Sequence, residues 1–490
     1  MVFSSLLFCF AFLPANLICY SFCKTVKSRN VVLLAFSLFF YAFGEPVYVA
    51  ILVLMSLFCW LFSRLIDTAK NSQERKLWLA AAVAVCLGSI GYFKYAGFAV
   101  ESLNSLIGTE LIAVPHIQLP IGISFYTFQL LTYVIDVYRG EVPSQKHFYN
   151  VLLYASLFHQ CIAGPIVRYD DVANELTERS IDINDVSKGL TRFACGLGKK
   201  AILANGCGAV ADTLLLSDAA IGSTADFAAN LALIESRSAL SLWVGMAFFM
   251  LQIYLDFSAY SDMAIGMGLM IGFHYKENFD YPYISASVTE FWRRWHMSLG
   301  TFFRDYVYIP LGGNRKGKLR QVFNLFVVWA LTGLWHGAAW NFVLWGLYFF
   351  VFLVIERLFL AKLLEKLPSV FSRIYLLMVV FFGWVIFKFP SPPMCFTVLK
   401  GMFGLNGNSF TSFEATAMLQ NNIFFLIVAV IACTPLVRRM GEILSKNADN
   451  EIRFANIQGV LQIILPIILL LVSTLGLVGD SYNPFLYFQF

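Results

Sequence analysis

The chain has 490 residues, of which 59% are hydrophobic, 17% aromatic and only 13% charged. That balance excludes an ordinary soluble domain or a disordered chain, and its many long apolar runs match a hydrocarbon core of about 30 Å. The formal net charge of +5 is modest, and the basic residues cluster in short loops, which reads as topology bias toward an anionic inner leaflet rather than nucleic-acid binding.

The expected fold is an all-α polytopic membrane protein. Apolar segments near 2–23, 31–43, 47–62, 77–93, 117–138, 149–167, 239–273, 322–355, 374–389, 423–437 and 459–478 predict about ten to thirteen transmembrane or re-entrant helices, because several are long enough to be split. No polar stretch is long enough to fold separately, so residues 1–478 are expected as one membrane domain and 479–490 as an external aromatic tail. The first segment lacks a basic n-region and reads as a retained span. Ten cysteines lie mostly inside apolar runs without a C-x-x-C pair, and neither a disulfide framework nor a metal site is indicated.

Lys24, Lys27 and Arg29 follow the first span, and Arg64, Lys70, Arg75 and Lys76 follow the third, which predicts two cytoplasmic loops and an outward N-terminus. Segments such as Gly189 to Leu216 mix Arg192, Lys199 and Lys200 with small apolar residues, so charge does not count crossings there. Lys276 to Arg320 carries eight Lys/Arg against four Asp/Glu and no spanning run, and predicts interfacial or re-entrant helices on the cytoplasmic side.

The longest uncharged apolar run, Val322 to Ile355, contains a single ionisable residue, His336. Basic residues flank both ends, with Arg357, Lys362, Lys366 and Arg373 after it, while a straight helix of 34 residues would measure about 51 Å. Two short passes or a re-entrant hairpin resolve the conflict, with His336 near the turn and Gly333 and Gly337 permitting the bend or a close helix contact. An intramembrane ionisable residue is a functional candidate, and imidazole is suited to proton transfer near neutral pH. Among the other histidines, His116, His147 and His274 sit beside polar residues and read as solvated. His159 precedes Gly164-Pro165 and reads as structural at a broken helix end. His296, flanked by Glu290, Arg293 and Arg294, reads equally as paired or functional. Downstream, Pro390 to Asn422 reads as external, Arg438 to Arg453 as internal, and the last span delivers the tail outside.

The strings D-F-S-A-Y-S-D-M-A-I-G (from Asp256), N-F-D-Y-P-Y-I-S (from Asn278), T-E-F-W-R-R-W-H-M-S-L (from Thr289), F-F-R-D-Y-V-Y-I-P-L-G-G-N-R-K-G (from Phe302) and G-L-W-H-G-A-A-W (from Gly333), together with A-G-P-I-V-R (from Ala163), resemble the membrane-bound O-acyltransferase family, in particular its bacterial alginate O-acetylase branch. The resemblance covers nearly the whole chain. It implies helices surrounding a tunnel, His336 as the catalytic histidine and His296 as a second position tied to activity. It further implies transfer of an acetyl group from a cytoplasmic thioester, acetyl-CoA as substrate rather than bound cofactor, across the bacterial inner membrane to an exported polysaccharide such as alginate, with a periplasmic acetyltransferase partner. Peptidoglycan O-acetylation and teichoic-acid D-alanylation are related alternatives. A polysaccharide or lipid transporter with His336 as proton relay is the alternative of another class.

The residue types suit acyl transfer. A positioned imidazole that takes a hydroxyl proton contributes about 10² to 10⁴-fold. Trp335, Asn341, Ser298 or loosened backbone at the glycines could donate to the developing oxyanion. Arg293, Arg294, Arg304, Arg315, Lys316 and Lys318 form a basic cluster able to hold donor phosphates or anchor to anionic lipid. Asp256 and Asp262, in an apolar segment, read as support, paired with these arginines or holding a helix break. The ending Phe485, Tyr487, Phe488, Phe490 resembles the C-terminal motif of a small membrane peptide of teichoic-acid D-alanylation, which makes Tyr487 a candidate acyl acceptor. Twelve residues after the last span reach up to about 40 Å. An interfacial aromatic belt is the other reading of that tail.

Overall fold

The computed structural model describes residues 1–223, 225–448 and 451–479. Regular structure among these is helical throughout, with no strand. Among the described residues, seven helices are long and apolar enough to cross a membrane: Val26–Gly44, Val49–Thr68, Ser72–Ile107, Ala239–Met270, Trp340–Leu364, Ser369–Lys388 and Ile452–Val478. An eighth would be Phe413–Asn421 with Ile423–Ala432, a pair bent by 59°. The other expected passes are shorter. The first apolar segment yields the helical stretch Phe8–Ser21, and the segment near 149–167 yields only Phe148–Ser156, after which the backbone turns without a helix until Tyr169. His159 lies in that turn, so the helix breaks before Gly164-Pro165 rather than at it.

The chain divides into two compact units. The first comprises Met1–Cys195 with Tyr260–Glu277, and the second Gly196–Ala259 with the chain from Asn278 onward. In the first unit Ile123–Arg139 is the core helix: fourteen of its seventeen residues are buried. Its polar residues are held inside the unit, as a buried helix requires; the Tyr133 hydroxyl, for example, lies 2.9 Å from Ser63 Oγ and accepts from the Gln145 N–H at 2.8 Å. Arg179 is buried, donating to Tyr20 Oη at 2.8 Å and Asn30 Oδ1 at 2.9 Å.

The second unit is built on aromatic packing. Trp292, Trp295, Trp329, Trp345, Phe349 and Trp384 form a continuous chain of ring contacts at 4.8–6.5 Å. Large rings bury much area and prefer such edge and offset contacts. The basic stretch from Asn278 to Arg320 forms short elements as the sequence implies, Pro282–Ile284, Val288–Arg294, Met297–Phe303 and a wider turn at Arg304–Tyr308. None of these is long enough to span a bilayer.

Candidate active site

The run around His336 folds as a helical hairpin. Lys318–His336 ends at the histidine, the chain bends through residues 337–339 with Gly337 and Ala339 extended, and it resumes as Trp340–Ile355. Two glycines set how closely the arms approach. A Cβ on Gly333 would meet the Phe342 carbonyl oxygen, and one on Gly346 would meet that of Trp329, so the helices touch backbone to backbone. Gly337 is needed for space rather than for the bend: its φ of −170° suits any residue, but a Cβ there would strike the Phe342 ring. Asn341 fixes the base of the second arm by donating from Nδ2 to the Phe387 carbonyl at 3.0 Å.

His336 is 8% exposed. Its ring lies 4.7 Å from Trp345, 5.0 Å from Trp335 and 5.9 Å from Phe387. Nδ1 is 2.7 Å from the Thr332 carbonyl oxygen, one turn back. A carbonyl can only accept, so Nδ1 carries the proton and the neutral ring keeps its basic lone pair at Nε2.

His296 sits at a sharp turn between Val288–Arg294 and Met297–Phe303. Its φ of 45° and ψ of 54° are left-handed, a conformation that costs a non-glycine residue about 1–2 kcal/mol. The surroundings enforce it. Val288–Arg294 is anchored at its start by Glu356, whose carboxylate accepts from Val288 N–H at 2.6 Å, Thr289 N–H at 2.9 Å and Thr289 Oγ at 2.7 Å. At its end the Arg294 carbonyl accepts from Asp280 N–H at 3.0 Å, and the Asn278 carbonyl accepts from Met297 N–H at 2.9 Å. Rings of Phe257 and Trp335 pack on the imidazole at 4.7 and 5.5 Å. Trp335 therefore touches both histidines.

The two imidazoles line one cavity of about 710 Å³, together with Trp329, Tyr308 and the side chains of Arg293 and Arg304. Of the expected cationic residues, these two arginines reach its wall. Arg294 does not, and it is ion-paired with Glu290 at 3.0 Å and Asp280 at 2.9 Å, while Arg304 on the wall is paired with Asp305 at 2.6 Å. Arg315 and Lys316 lie outside the lining as well. Of the expected oxyanion donors, Asn341 Nδ2 donates to the Phe387 carbonyl at 3.0 Å and Ser298 Oγ to Asn278 Oδ1 at 2.9 Å, and neither residue lines the cavity. Trp335, 3% exposed, stands between the histidines rather than on the cavity wall.

Asp256 and Asp262 are ion-paired, but with cations other than those expected. Asp256 meets Lys200 at 2.8 Å, both side chains 2% exposed, and Asp262 meets Arg192 at 2.9 Å. Asp256 belongs to the unit that carries the histidines and Asp262 to the other. Tyr487 lies outside the described residues. Sequence reasoning missed Asn278, Glu356 and Lys200, whose roles rest on contacts across 18 to 68 positions of chain that no local spacing encodes.

The arrangement presents two imidazoles at the inner wall and two guanidinium groups on the same cavity. That combination can remove a proton from a hydroxyl and hold an anionic group nearby. The model of the membrane-bound O-acyltransferase family matches residues 139–399, a little over half of the 490. Over its whole length the chain is 35% identical to the probable alginate O-acetylase of Azotobacter vinelandii and 36% identical to that of Pseudomonas putida, all of each relative being covered. It is also 30% identical, over all of this chain and 98% of the relative, to the peptidoglycan O-acetyltransferase of Helicobacter pylori. On the family match, the end-to-end relatives and the apolar helices, the chain belongs to the membrane-bound O-acyltransferase family and is a multi-pass membrane O-acyltransferase.

Proposed function

We propose that the protein takes an acetyl group from acetyl-CoA on the cytoplasmic side of the bacterial inner membrane and delivers it outward for O-acetylation of an exported polysaccharide such as alginate. A periplasmic acetyltransferase completes the delivery. The observation that carries this reading is the single cavity on which His296, His336, Arg293 and Arg304 converge. Its volume suits a small organic ligand, for which sites of about 300–1,000 Å³ are usual. Arg293 holds the phosphates of the donor by forked hydrogen bonds, beside Arg304, whose Nε and Nη2 donate to Asp305 at 2.6 and 3.1 Å, and Trp329, Val328 and Leu353 give its thioester arm an apolar wall.

In the reaction, His336 Nε2 takes the proton of the acceptor hydroxyl as its oxygen attacks the thioester carbonyl. The new C–O bond forms, the C–S bond breaks, and the imidazolium returns the proton to the departing thiolate. Tyr487 is the candidate first acceptor hydroxyl, from which the partner would move the acetyl group to the polymer. The names of the full-length relatives support a polymer acceptor, alginate from the larger identity and peptidoglycan as the second reading. Transport with His336 as a proton relay is set aside because the chain is an O-acyltransferase.

The test is incubation of the purified full-length protein with acetyl-labelled CoA, with and without a hydroxyl acceptor. Thioester cleavage with label on an acceptor oxygen is expected. Cleavage with no other thioester than a longer acyl-CoA would contradict the acetyl assignment, and full activity of Tyr487→Phe would remove the tyrosine relay.

A further inference from the structure

The cluster beneath His296 has a feature that the acyl-transfer reading does not use. Asn278 is fully buried, and its Oδ1 is the meeting point of three groups from the turn that carries the histidine. The backbone N–H of Ser298 donates to it at 3.2 Å and Ser298 Oγ at 2.9 Å, while His296 Nδ1 lies 3.1 Å away. A backbone N–H can only donate, so this atom of Asn278 is the oxygen and an acceptor. Nδ1 of His296 must then be the protonated nitrogen. The opposite nitrogen, Nε2, is buried without a hydrogen-bond partner among the described residues. A buried acceptor left open is costly unless something brings a donor to it.

Asn278 also holds the backbone. Its carbonyl accepts from Met297 N–H at 2.9 Å, the residue after His296, so one side chain and one peptide together fix both the ring and the left-handed turn beneath it. Around the ring, Phe257, Phe279 and Trp335 supply only aromatic surface, with His336 beyond Trp335 as the titratable neighbour.

We propose that Asn278 is a positioning residue: it locks His296 in the Nδ1–H tautomer and aims the Nε2 lone pair to accept a hydrogen bond from the hydroxyl group that enters the cavity. His336, set in the same tautomer by the Thr332 carbonyl, then works beside a second acceptor rather than a donor. The inference rests on the acyl-transfer reading for its substrate, but the tautomer itself does not. A neutral amide oxygen has a specific advantage here over a carboxylate, since it orients the ring without stabilising the imidazolium.

The experiment uses the full-length protein in detergent, with ¹⁵N-labelled histidine, and compares wild type with Asn278→Ala, Asn278→Asp and His296→Gln. Two-bond ¹H–¹⁵N spectra report the tautomer of the His296 signal, assigned by its loss in His296→Gln. Wild type is expected to show Nδ1–H only, and Asn278→Ala a mixture, with kcat for acetyl transfer down about 10- to 100-fold and KM changed less than threefold. Asn278→Asp keeps the acceptor and the fold and is expected to keep the tautomer, while moving the acidic limb of the pH–rate profile upward by about one unit as its charge favours imidazolium. An Nε2–H signal in wild type, or an unchanged Nδ1–H signal in Asn278→Ala, would overturn the proposal. Failure of wild type to cleave acetyl-CoA would instead remove the substrate reading and leave the spectra to decide the role of Asn278.

Discussion

The two units each bury a histidine, and the contrast between them shows what burial alone does not. His159, in the first unit, is fully enclosed, with Nδ1 2.8 Å from the Tyr275 hydroxyl and rings of Phe158, Tyr275 and Phe273 at 4.9–6.3 Å. It follows the end of Phe148–Ser156 and holds that turn to a distant segment of the same unit. His296 and His336, in the second unit, are also buried, yet both open on the 710 Å³ cavity. Their Nδ1 atoms face oxygen acceptors of the scaffold, so the basic nitrogens point elsewhere. All three rings are oriented through Nδ1, and what separates His296 and His336 from His159 is the cavity that their rings line.

The largest effect that would break this contrast is loss of His336. His336→Gln is expected to lower kcat/KM for acetyl transfer by about 10³-fold, roughly 4 kcal/mol of transition-state stabilisation. Its thermal unfolding should stay near that of wild type, and an activity loss below tenfold would place the base elsewhere. Next in size is Glu356, which links the second arm of the hairpin to the helix beneath His296. Glu356→Ala leaves the Val288 and Thr289 donors without their acceptor. It should destabilise the fold by about 2–4 kcal/mol in denaturant unfolding, because buried donors and their anchor are lost together.

A smaller effect sharpens the other side of the comparison. His159→Phe removes the Tyr275 bond but keeps the packing, so unfolding should reveal a loss of about 1–2 kcal/mol while kcat per folded molecule stays within twofold. A drop of tenfold or more in kcat would make His159 a functional residue.

The smallest effect is a surface one. His274 is held by Glu175 at 2.8 Å and Asp185 at 3.3 Å. The hydrogen bond to Glu175, aided by Asp185 and opposed by partial burial, raises its pKa above the ordinary value of 6.5. A raised folded pKa means that the contribution is complete below the unfolded value and fades as pH rises through the folded one. The melting temperature of wild type should therefore exceed that of His274→Asn by a small margin at pH 6, and the margin should shrink by pH 9. A margin that grows with pH would contradict the pairing.

Much of this was legible in the chain. Composition and apolar run length indicate the polytopic helical fold, and basic residues at both ends of Val322–Ile355 require the hairpin that places His336 at its turn. What stayed hidden is long-range. The partner of Asp256 is Lys200, not one of the clustered arginines, because the turn at Lys199–Ala204 delivers an amine to the same buried place. Arg294 looked like Arg293 in sequence, but the carboxylates of Glu290 and Asp280 claim it. Asn341 and Ser298 looked like free donors, yet each is used to hold a neighbouring element. Local patterns reveal which residues are polar in apolar surroundings, and only the folded contacts reveal which of them are already engaged.

His296 and His336 act on one reacting group in one cavity. A double-mutant cycle on labelled acetyl transfer, with His296→Gln, His336→Gln and the double variant in the full-length protein, tests it most directly. Strong coupling is expected, with the double variant no more than about threefold slower than the slower single variant. Losses that multiply, as for independent sites, would contradict it.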